Sequence, residues 1–260
     1  MTTEQSHFDE MRASFLAALD HLSTTSNQIA GRSVSTRFGW ASWIYARMGL
    51  AANSVALLME AYVDRKDHST IDHVSIGNIC RSIIEYQVFL AYLLEDNISD
   101  DDWQLRKWTL DIHDCNSRIR LFRSLGNESQ VERFKAQLLE LRNRIKTSKA
   151  FLDLPIDSQS AIVVGNRFYI RGMRAALSAA DWEERQWDGI YSYLSGSTHS
   201  APISFYRSDL RGADNLSIVP QQFAFCGFAL EVATRAIQWS TYRIEKVFSE
   251  ISDLPHSPPE

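Results

Sequence analysis

The side chains best suited to chemistry in this sequence are a serine and a histidine that flank a predicted helix end. Ser195 and His199 are four residues apart, with Gly196 between them, and Tyr191 precedes them by one helical turn. Histidine exchanges a proton near neutral pH, so His199 is a candidate general acid or base. A serine nucleophile also needs an orienting acid and an oxyanion hole, and the sequence contains no G-x-S-x-G elbow. We therefore interpret Tyr191 and Ser195 as ligand-binding residues, and His199 as either an acid/base group or a structural side chain.

A second polar set lies in residues 71–95, which predict a mostly apolar helix with Asn78, Arg81 and Glu85 towards one side. Between residues 74 and 94 the only charged side chains are Arg81 and Glu85, at the i,i+4 spacing that allows an ion pair. One interpretation is a surface salt bridge worth about 0–1 kcal/mol. The other, which we favour, is that Arg81 and Glu85 form one side of a cleft whose other side is His199. Asn78 is then a ligand-binding residue of the same cleft.

Two other charge-poor helices carry isolated charges, Arg47 with Glu60 and Glu231 with Arg235. A buried charge without a partner costs several kcal/mol, so these side chains must pair with one another or face water. A buried structural network and an open polar cleft are both compatible with the sequence.

Hydrophobic periodicity predicts an all-α protein, a bundle of about seven helices that forms a single domain over residues 1–260. The predicted helices cover residues 7–23, 38–63, 71–95, 100–125, 129–145, 181–196 and 220–250. Residues 24–36 predict a loop, and residues 161–170 predict a small β-hairpin around Gly165-Asn166. Helix caps are expected at Ser99, at Ser129 and at Asp181, and residues 251–260 predict a disordered tail.

Residues 100–150 predict a protruding antiparallel helical hairpin, because two apolar stripes are joined by a short Gly126-Asn127 turn. The outer faces of this hairpin are rich in arginine and lysine. Three interpretations remain open: a solvated face, a dimerisation arm, or a ridge that binds phosphate groups.

The composition limits the class of protein. The net charge of −5 gives no overall basic footprint for nucleic acid, although it leaves a local basic patch open. Three scattered cysteines, Cys80, Cys115 and Cys226, indicate core positions in a reducing compartment. The charge-free apolar run of residues 48–59 is too short to span a membrane, so we expect a cytoplasmic protein. The sequence contains no phosphate-binding glycine loop and no metal-ligand spacing. We therefore expect no nucleotide bound by such a loop, no metal and no other cofactor.

Two short motifs carry a resemblance to a known superfamily: Asn78-x-x-Arg81-x-x-x-Glu85, and Tyr191-x-x-Leu194-Ser195-x-x-x-His199. Together, over roughly residues 40–245, they resemble bacterial all-helical domains that are similar to the HEPN (higher eukaryotes and prokaryotes nucleotide-binding) superfamily. Many HEPN proteins are metal-independent ribonucleases of toxin–antitoxin and phage-defence systems, and they work as dimers. The resemblance implies an RNA or nucleotide ligand and a homodimer, which we expect to form through the 100–150 hairpin.

The resemblance also implies roles for individual residues. His199 would be the acid/base group, Arg81 would stabilise phosphate charge, and Glu85 would orient Arg81. The nuclease signature of the superfamily is an arginine followed by a histidine after four to six residues. The match to that spacing here is Arg106 with His113, and no arginine precedes His199 at that distance. The alternative function is therefore a non-enzymatic helical module that binds a protein partner or a small ligand.

Overall fold

The computed structural model of the 260-residue chain describes residues 2–32, 34–63, 71–196 and 220–252. These residues form helices and connecting turns without any strand, so the predicted all-α class is confirmed. Ten helices occur in them: α1 (Thr3–Ile29), α2 (Thr36–Val63), α3 (His73–Leu93), α4 (Asp100–Ser124), α5 (Glu128–Ile145), α6 (Lys149–Leu152), α7 (Ile156–Val164), α8 (Met173–Ala179), α9 (Glu184–Ser195) and α10 (Pro220–Ser252). None of the described helices is long and apolar enough to cross a membrane.

The chain divides into two compact units. The first unit comprises residues 1–94 and 180–260 and holds α1, α2, α3, α9 and α10. The second unit comprises residues 95–179 and holds α4 to α8. The predicted hairpin lies in the second unit, and the residues with candidate catalytic and ligand-binding roles lie in the first.

Helix α3 is the centre of the first unit, because it packs against α2, α9 and α10. Its buried side chains surround most of its circumference, which explains why so few charges are present. Asp72 caps its first turn by accepting a hydrogen bond from the Ser75 N–H at 3.0 Å. Gly77 permits close approach of α10, since a Cβ atom there would lie 2.6 Å from the ring of Phe225.

The second unit is built on the α4–α5 pair, which packs as the antiparallel hairpin that the sequence predicts. The stacked rings of Phe122 and Phe134, 5.8 Å apart, join the two helices near the turn. Ser99 caps α4 as expected, by accepting from the Asp102 N–H at 3.1 Å. Gly126 occupies the left-handed region in the turn, with a φ of 67°.

The prediction of seven helices is wrong for the described residues, because three short helices, α6 to α8, lie between residues 149 and 179. Four to nine residues are too few for a helical period to be recognised in the sequence.

The β-hairpin predicted at residues 161–170 is also wrong. Residues 161–164 end α7, and Gly165 adopts a left-handed φ of 84° as its C-cap, with the Asn166 N–H donating to Ala161 O. The Gly-Asn pair thus ends a helix and does not form a hairpin turn.

Several predicted boundaries are displaced. The loop expected from residue 24 begins only after Ile29, because α1 continues through the Ser/Thr-rich stretch. Asn127, not Ser129, caps α5 by accepting from the Gln130 N–H. Asp181 does not cap α9, because Glu183 occupies the N-cap position. Asp181 lies two residues before that position and has a left-handed φ of 57°. Residues 251 and 252 of the predicted tail belong to α10, and residues 253–260 lie outside the described residues.

Candidate functional site

Four polar side chains of the first unit meet between α3 and α9, and we call them the Arg81 cluster. Arg81 and Glu85 lie one turn apart on α3, and Tyr191 and Ser195 lie one turn apart on α9. Because both pairs have the i,i+4 spacing, each helix presents its two members on one face. The packing of α3 against α9 then brings the two faces together.

Arg81 is the centre of the cluster and is held on three sides. Its Nη1 donates to the Ser195 Oγ at 3.3 Å, and its Nε lies 3.4 Å from a carboxylate oxygen of Glu85. Its guanidinium carbon lies 5.0 Å from the centroid of the Tyr191 ring, a cation–π contact. The side chain nevertheless remains 22% exposed, and that of Glu85 40% exposed. The Arg81 side chain is therefore oriented by the protein and partly exposed.

Tyr191 is kept in its neutral form at physiological pH. Burial raises the pKa of its phenol, the negative charge of Glu85 raises it further, and Arg81 lowers it. Tyr191 thus lies close to both charges, and it contacts Arg81 with the face of its ring.

A row of aromatic rings supports the cluster from inside the first unit. The ring of Trp187 stacks on Tyr191 at 5.6 Å, and Trp182 meets Trp187 edge-on at 5.6 Å. The Trp182 Nε1 donates to the buried Gln87 Oε1 at 2.9 Å, while Gln87 Nε2 donates to Ala180 O at 2.9 Å. These bonds satisfy a buried amide, so the position of the Tyr191 ring is well determined.

Sequence reasoning missed this supporting row. Two signals were available: Gln87 is an uncharged polar residue within an apolar helix, and Trp187 precedes Tyr191 by one helical turn. Neither signal identifies its partner, because Gln87 and Trp182 are 95 residues apart.

Asn78 and His199 are the other two predicted site residues. Asn78 lies three residues before Arg81 on α3 and is half-buried, and its backbone carbonyl accepts from Ser82 Oγ at 3.3 Å. His199 lies outside the described residues, so the cleft between it and the Arg81–Glu85 pair stays a prediction.

The other isolated charges do not form a buried network. Arg47 and Glu60 on α2 are exposed, as are Glu231 and Arg235 on α10. The Arg235 guanidinium lies over the ring of Trp182, 5.5 Å from its centroid. These four side chains therefore face water and do not form the buried structural network, which was one of the two arrangements compatible with the sequence.

The second unit contains a charged cavity of about 420 Å³. Its charged lining residues are Asp101, Asp102, Lys149, Asp153 and Arg171. Arg171 lies 3.2 Å from Glu95 and 3.8 Å from Asp102, and Asp101 accepts from the Ala150 N–H at 2.7 Å. Several of these groups thus bond to the walls of the cavity, which makes it a structural feature of the unit.

The Arg106–His113 match to the nuclease spacing also lies in the second unit. Arg106 is buried and forms an ion pair with Glu95, and the ring of His113 lies 5.3 Å from that of Phe168. Across the described ranges, no group of three or more His, Cys, Asp or Glu side chains is arranged to hold a metal ion. All three cysteines are buried and free.

Comparison of the chain with protein-family models, with curated proteins and with solved structures gave no match. The resemblance to HEPN proteins therefore depends on the residues of the two motifs alone.

Proposed function

We propose that the first unit binds a phosphate-bearing ligand at the Arg81 cluster, and that the protein is a HEPN-like, metal-independent ribonuclease or nucleotide-processing protein. The observation that carries this proposal is the state of Arg81, which is oriented on three sides and still partly exposed. A guanidinium is well suited to phosphate because its planar donors match phosphate oxygens. Because Arg81 is already oriented, binding costs less conformational freedom than it would for a mobile side chain.

The other members of the cluster have complementary tasks in this proposal. Ser195 Oγ accepts a hydrogen bond from Arg81, so its own proton points elsewhere and can be donated to a phosphate oxygen. Glu85 balances the charge of Arg81 and fixes its orientation through Nε. The stacked ring of Tyr191 adds an aromatic surface next to the phosphate site.

For RNA cleavage, His199 would remove the proton from a ribose 2′-hydroxyl, whose oxygen then attacks the adjacent phosphorus. The bond from phosphorus to the 5′-oxygen breaks, and that oxygen takes up a proton from the resulting imidazolium. Arg81 would stabilise the negative charge that develops on the phosphate oxygens. We place this activity in the cytoplasm, in a bacterial stress or phage-defence system, and the three reduced, buried cysteines support a reducing compartment.

The test is cleavage of a labelled single-stranded RNA of mixed sequence in buffer with excess EDTA. We expect His199→Ala to lower the rate by about 10²–10⁴-fold, the usual contribution of a general acid or base. The matched control is His21→Ala, which removes an exposed histidine. This histidine hydrogen-bonds to Glu245, which lies 224 residues later in the sequence. Equal rates for wild type and His199→Ala would contradict the enzymatic role.

The second candidate function is binding without turnover. It is favoured by the sequence before His199, because no arginine lies there at the spacing of the nuclease signature. In that case wild-type protein binds RNA or nucleotide through Arg81 and releases it unchanged. Chromatography of the recovered ligand separates this outcome from the enzymatic one.

A homodimer through the 100–150 hairpin also remains a proposal. Three large apolar side chains are exposed on α4 and α5 or in the turn between them, namely Leu121, Leu125 and Leu139. Substitution of Leu139 by glutamate would test it, since a charge in that position would oppose burial against a second copy.

A further inference from the structure

The turn end of the α4–α5 hairpin combines a concentrated positive charge with exposed leucines. Residues 116–149 contain nine arginines and lysines and three glutamates, a net charge of +6, whereas the whole chain carries −5. The remaining residues therefore carry −11, so the positive charge is concentrated in this one part of the second unit. Such a concentration attracts an anionic partner.

The cations nearest the turn are exposed, and three of them have no acidic partner. Of the five cations between residues 118 and 135, two form ion pairs along their own helices, at 2.6 and 2.7 Å. Among the residues that the structure describes, no carboxylate lies within ion-pair distance of the other three, Arg120, Arg123 and Arg133. Arg120 instead donates to the hydroxyl of Ser117 at 3.2 Å, which leaves its charge uncompensated. These charges are available to an anion outside the protein.

Two large apolar side chains are exposed beside these cations. Leu121 and Leu125 lie one helical turn apart at the end of α4, and they are 53% and 67% exposed. Every residue from 123 to 129 is exposed, so the whole turn is open to solvent. Exposed leucines next to one another on a turn are typical of a surface that meets an apolar phase or partner.

An aromatic pair behind the turn holds the cations of the two helices together. The rings of Phe122 and Phe134 stack nearly parallel. The guanidinium carbons of Arg118 and Arg133 lie 5.4 and 5.9 Å from the centroid of the Phe134 ring, one arginine from each helix. The end of the hairpin is therefore an ordered positive surface with apolar side chains at its tip.

We infer that the turn end of the hairpin binds an anionic lipid surface. Leu121 and Leu125 enter the boundary between headgroups and acyl chains, and the surrounding arginines contact the phosphate groups of the lipids. Long cationic side chains suit this position, because their stems lie along apolar surface while their charged ends reach the headgroups. The contact is peripheral, since only a turn meets the lipid.

The combination of charge and apolar exposure selects this occupant. A nucleic acid would account for the cations and leave the leucines without a role. A second copy would account for the leucines and would present the same cations to each other. A negatively charged lipid surface accounts for both features. This inference is independent of the proposed function, whose residues lie in the first unit.

The first test is sedimentation of the full chain with lipid vesicles. Wild type should bind vesicles of phosphatidylcholine and phosphatidylglycerol in equal parts at least about tenfold more tightly than vesicles of phosphatidylcholine alone. Arg120→Gln with Arg123→Gln should weaken binding to the anionic vesicles by roughly 25-fold, a factor of about five for each cation. The matched control, Arg185→Gln with Lys246→Gln, removes two exposed cations of the first unit. No binding of wild type to either vesicle, or equal losses in the two double variants, would overturn the inference.

The second test concerns the leucines at unchanged charge. Leu121→Gln with Leu125→Gln should weaken binding to the anionic vesicles by at least about tenfold, because the apolar contact is lost. Leu152→Gln is the matched control, since Leu152 is 59% exposed and also lies in the second unit. Vesicle binding that the leucine exchange leaves unchanged would show a purely electrostatic surface and overturn the inference. A dimer that the exchange dissociates, in a protein that ignores vesicles, would assign the turn to a second copy instead.

The third test measures insertion directly. Leu125→Cys carries a polarity-sensitive fluorophore, and Leu152→Cys carries the same label as its control. The three native cysteines are buried, so they do not compete for the label. Addition of the anionic vesicles should shift the emission of the label at residue 125 to shorter wavelength and leave that at residue 152 unchanged. Unchanged emission at both positions, or an equal shift at both, would contradict insertion of the turn.

Discussion

Each unit of the molecule contains an arginine paired with a glutamate, and the two pairs have different surroundings. In the second unit, the Arg106 side chain is 1% exposed and bonds Glu95, which is 32% exposed. In the first unit, Arg81 is 22% exposed and Glu85 is 40% exposed. Arg106 is thus enclosed by the protein, while Arg81 is oriented by the protein and reaches solvent.

The comparison shows that spacing along the sequence does not predict whether an arginine is buried or exposed. Arg106 matches the spacing of a nuclease signature with His113, yet its guanidinium is buried and serves the stability of the second unit. Arg81 lacks that spacing to His199, yet its side chain is partly exposed. Accessibility, which depends on tertiary packing, separates the two.

The largest expected effect is on stability at Arg106. Arg106→Ala removes a side chain that is 1% exposed, together with its ion pair to Glu95, and leaves a cavity, so we expect the free energy of unfolding to fall by about 2–5 kcal/mol. Urea denaturation measures it, with Arg118→Ala as the control. Arg118 is 50% exposed in its pair with Asp114, and its loss should cost about 0–1 kcal/mol. Similar losses of unfolding free energy for both variants would contradict the expected difference between buried and exposed ion pairs.

A smaller loss is expected at the support of the Arg81 cluster. Gln87→Met leaves the Trp182 indole N–H and the Ala180 carbonyl without their side-chain partner, at a cost of about 1–3 kcal/mol. Because Trp182 and Trp187 hold Tyr191, the same variant should also reduce ligand affinity at Arg81. Thermal unfolding and ligand titration on one sample measure both effects. An unchanged melting temperature would show that the aromatic row does not depend on Gln87.

Arg81 itself should matter little for stability. Arg81→Met keeps most of the aliphatic stem and removes a partly exposed charge, so we expect a change of no more than about 1 kcal/mol in the free energy of unfolding. Urea denaturation of Arg81→Met and of Arg106→Met under the same conditions gives the direct comparison. A loss as large as that of Arg106→Met would indicate a structural role for both arginines.

The smallest effect is an ionisation shift within the cluster. Because the folded pKa of Tyr191 is raised, its contribution to stability is complete below the ordinary tyrosine pKa of about 10 and is lost as the pH rises through the folded value. Glu85→Gln removes a negative charge that raises this pKa, so the Tyr191 pKa should fall. Ultraviolet titration of each protein against its Tyr191→Phe version isolates the signal. An unchanged pKa in Glu85→Gln would mean that burial alone sets it.

Local features of the fold were predictable from the sequence. The helical period, the cap at Ser99 and the i,i+4 spacing of Arg81 with Glu85 involve neighbouring residues only. The turn at Gly165 was misread because a Gly-Asn pair can end a helix or form a hairpin, and the choice depends on what precedes it.

Long-range features could not be derived in the same way. The bond between Arg81 and Ser195 joins residues 114 positions apart, and the sequence indicated it only through the paired motifs. The burial of Arg106 and the exposure of Trp43 depend on which helix faces meet, which periodicity alone does not determine. Both arginines lie in predicted helices, and the helical pattern alone does not distinguish a buried arginine from an exposed one.

Binding of a labelled single-stranded RNA by fluorescence anisotropy tests the central claim most directly. We predict that Arg81→Met weakens binding by at least about tenfold, the effect of losing roughly 1.4 kcal/mol of charge-assisted contact with phosphate. Arg118→Met, an exposed arginine of the second unit, should bind within about twofold of wild type, since one solvated ion pair contributes little. Equal affinities for wild type and Arg81→Met, with both proteins folded, would contradict the assignment of the Arg81 cluster as the phosphate site.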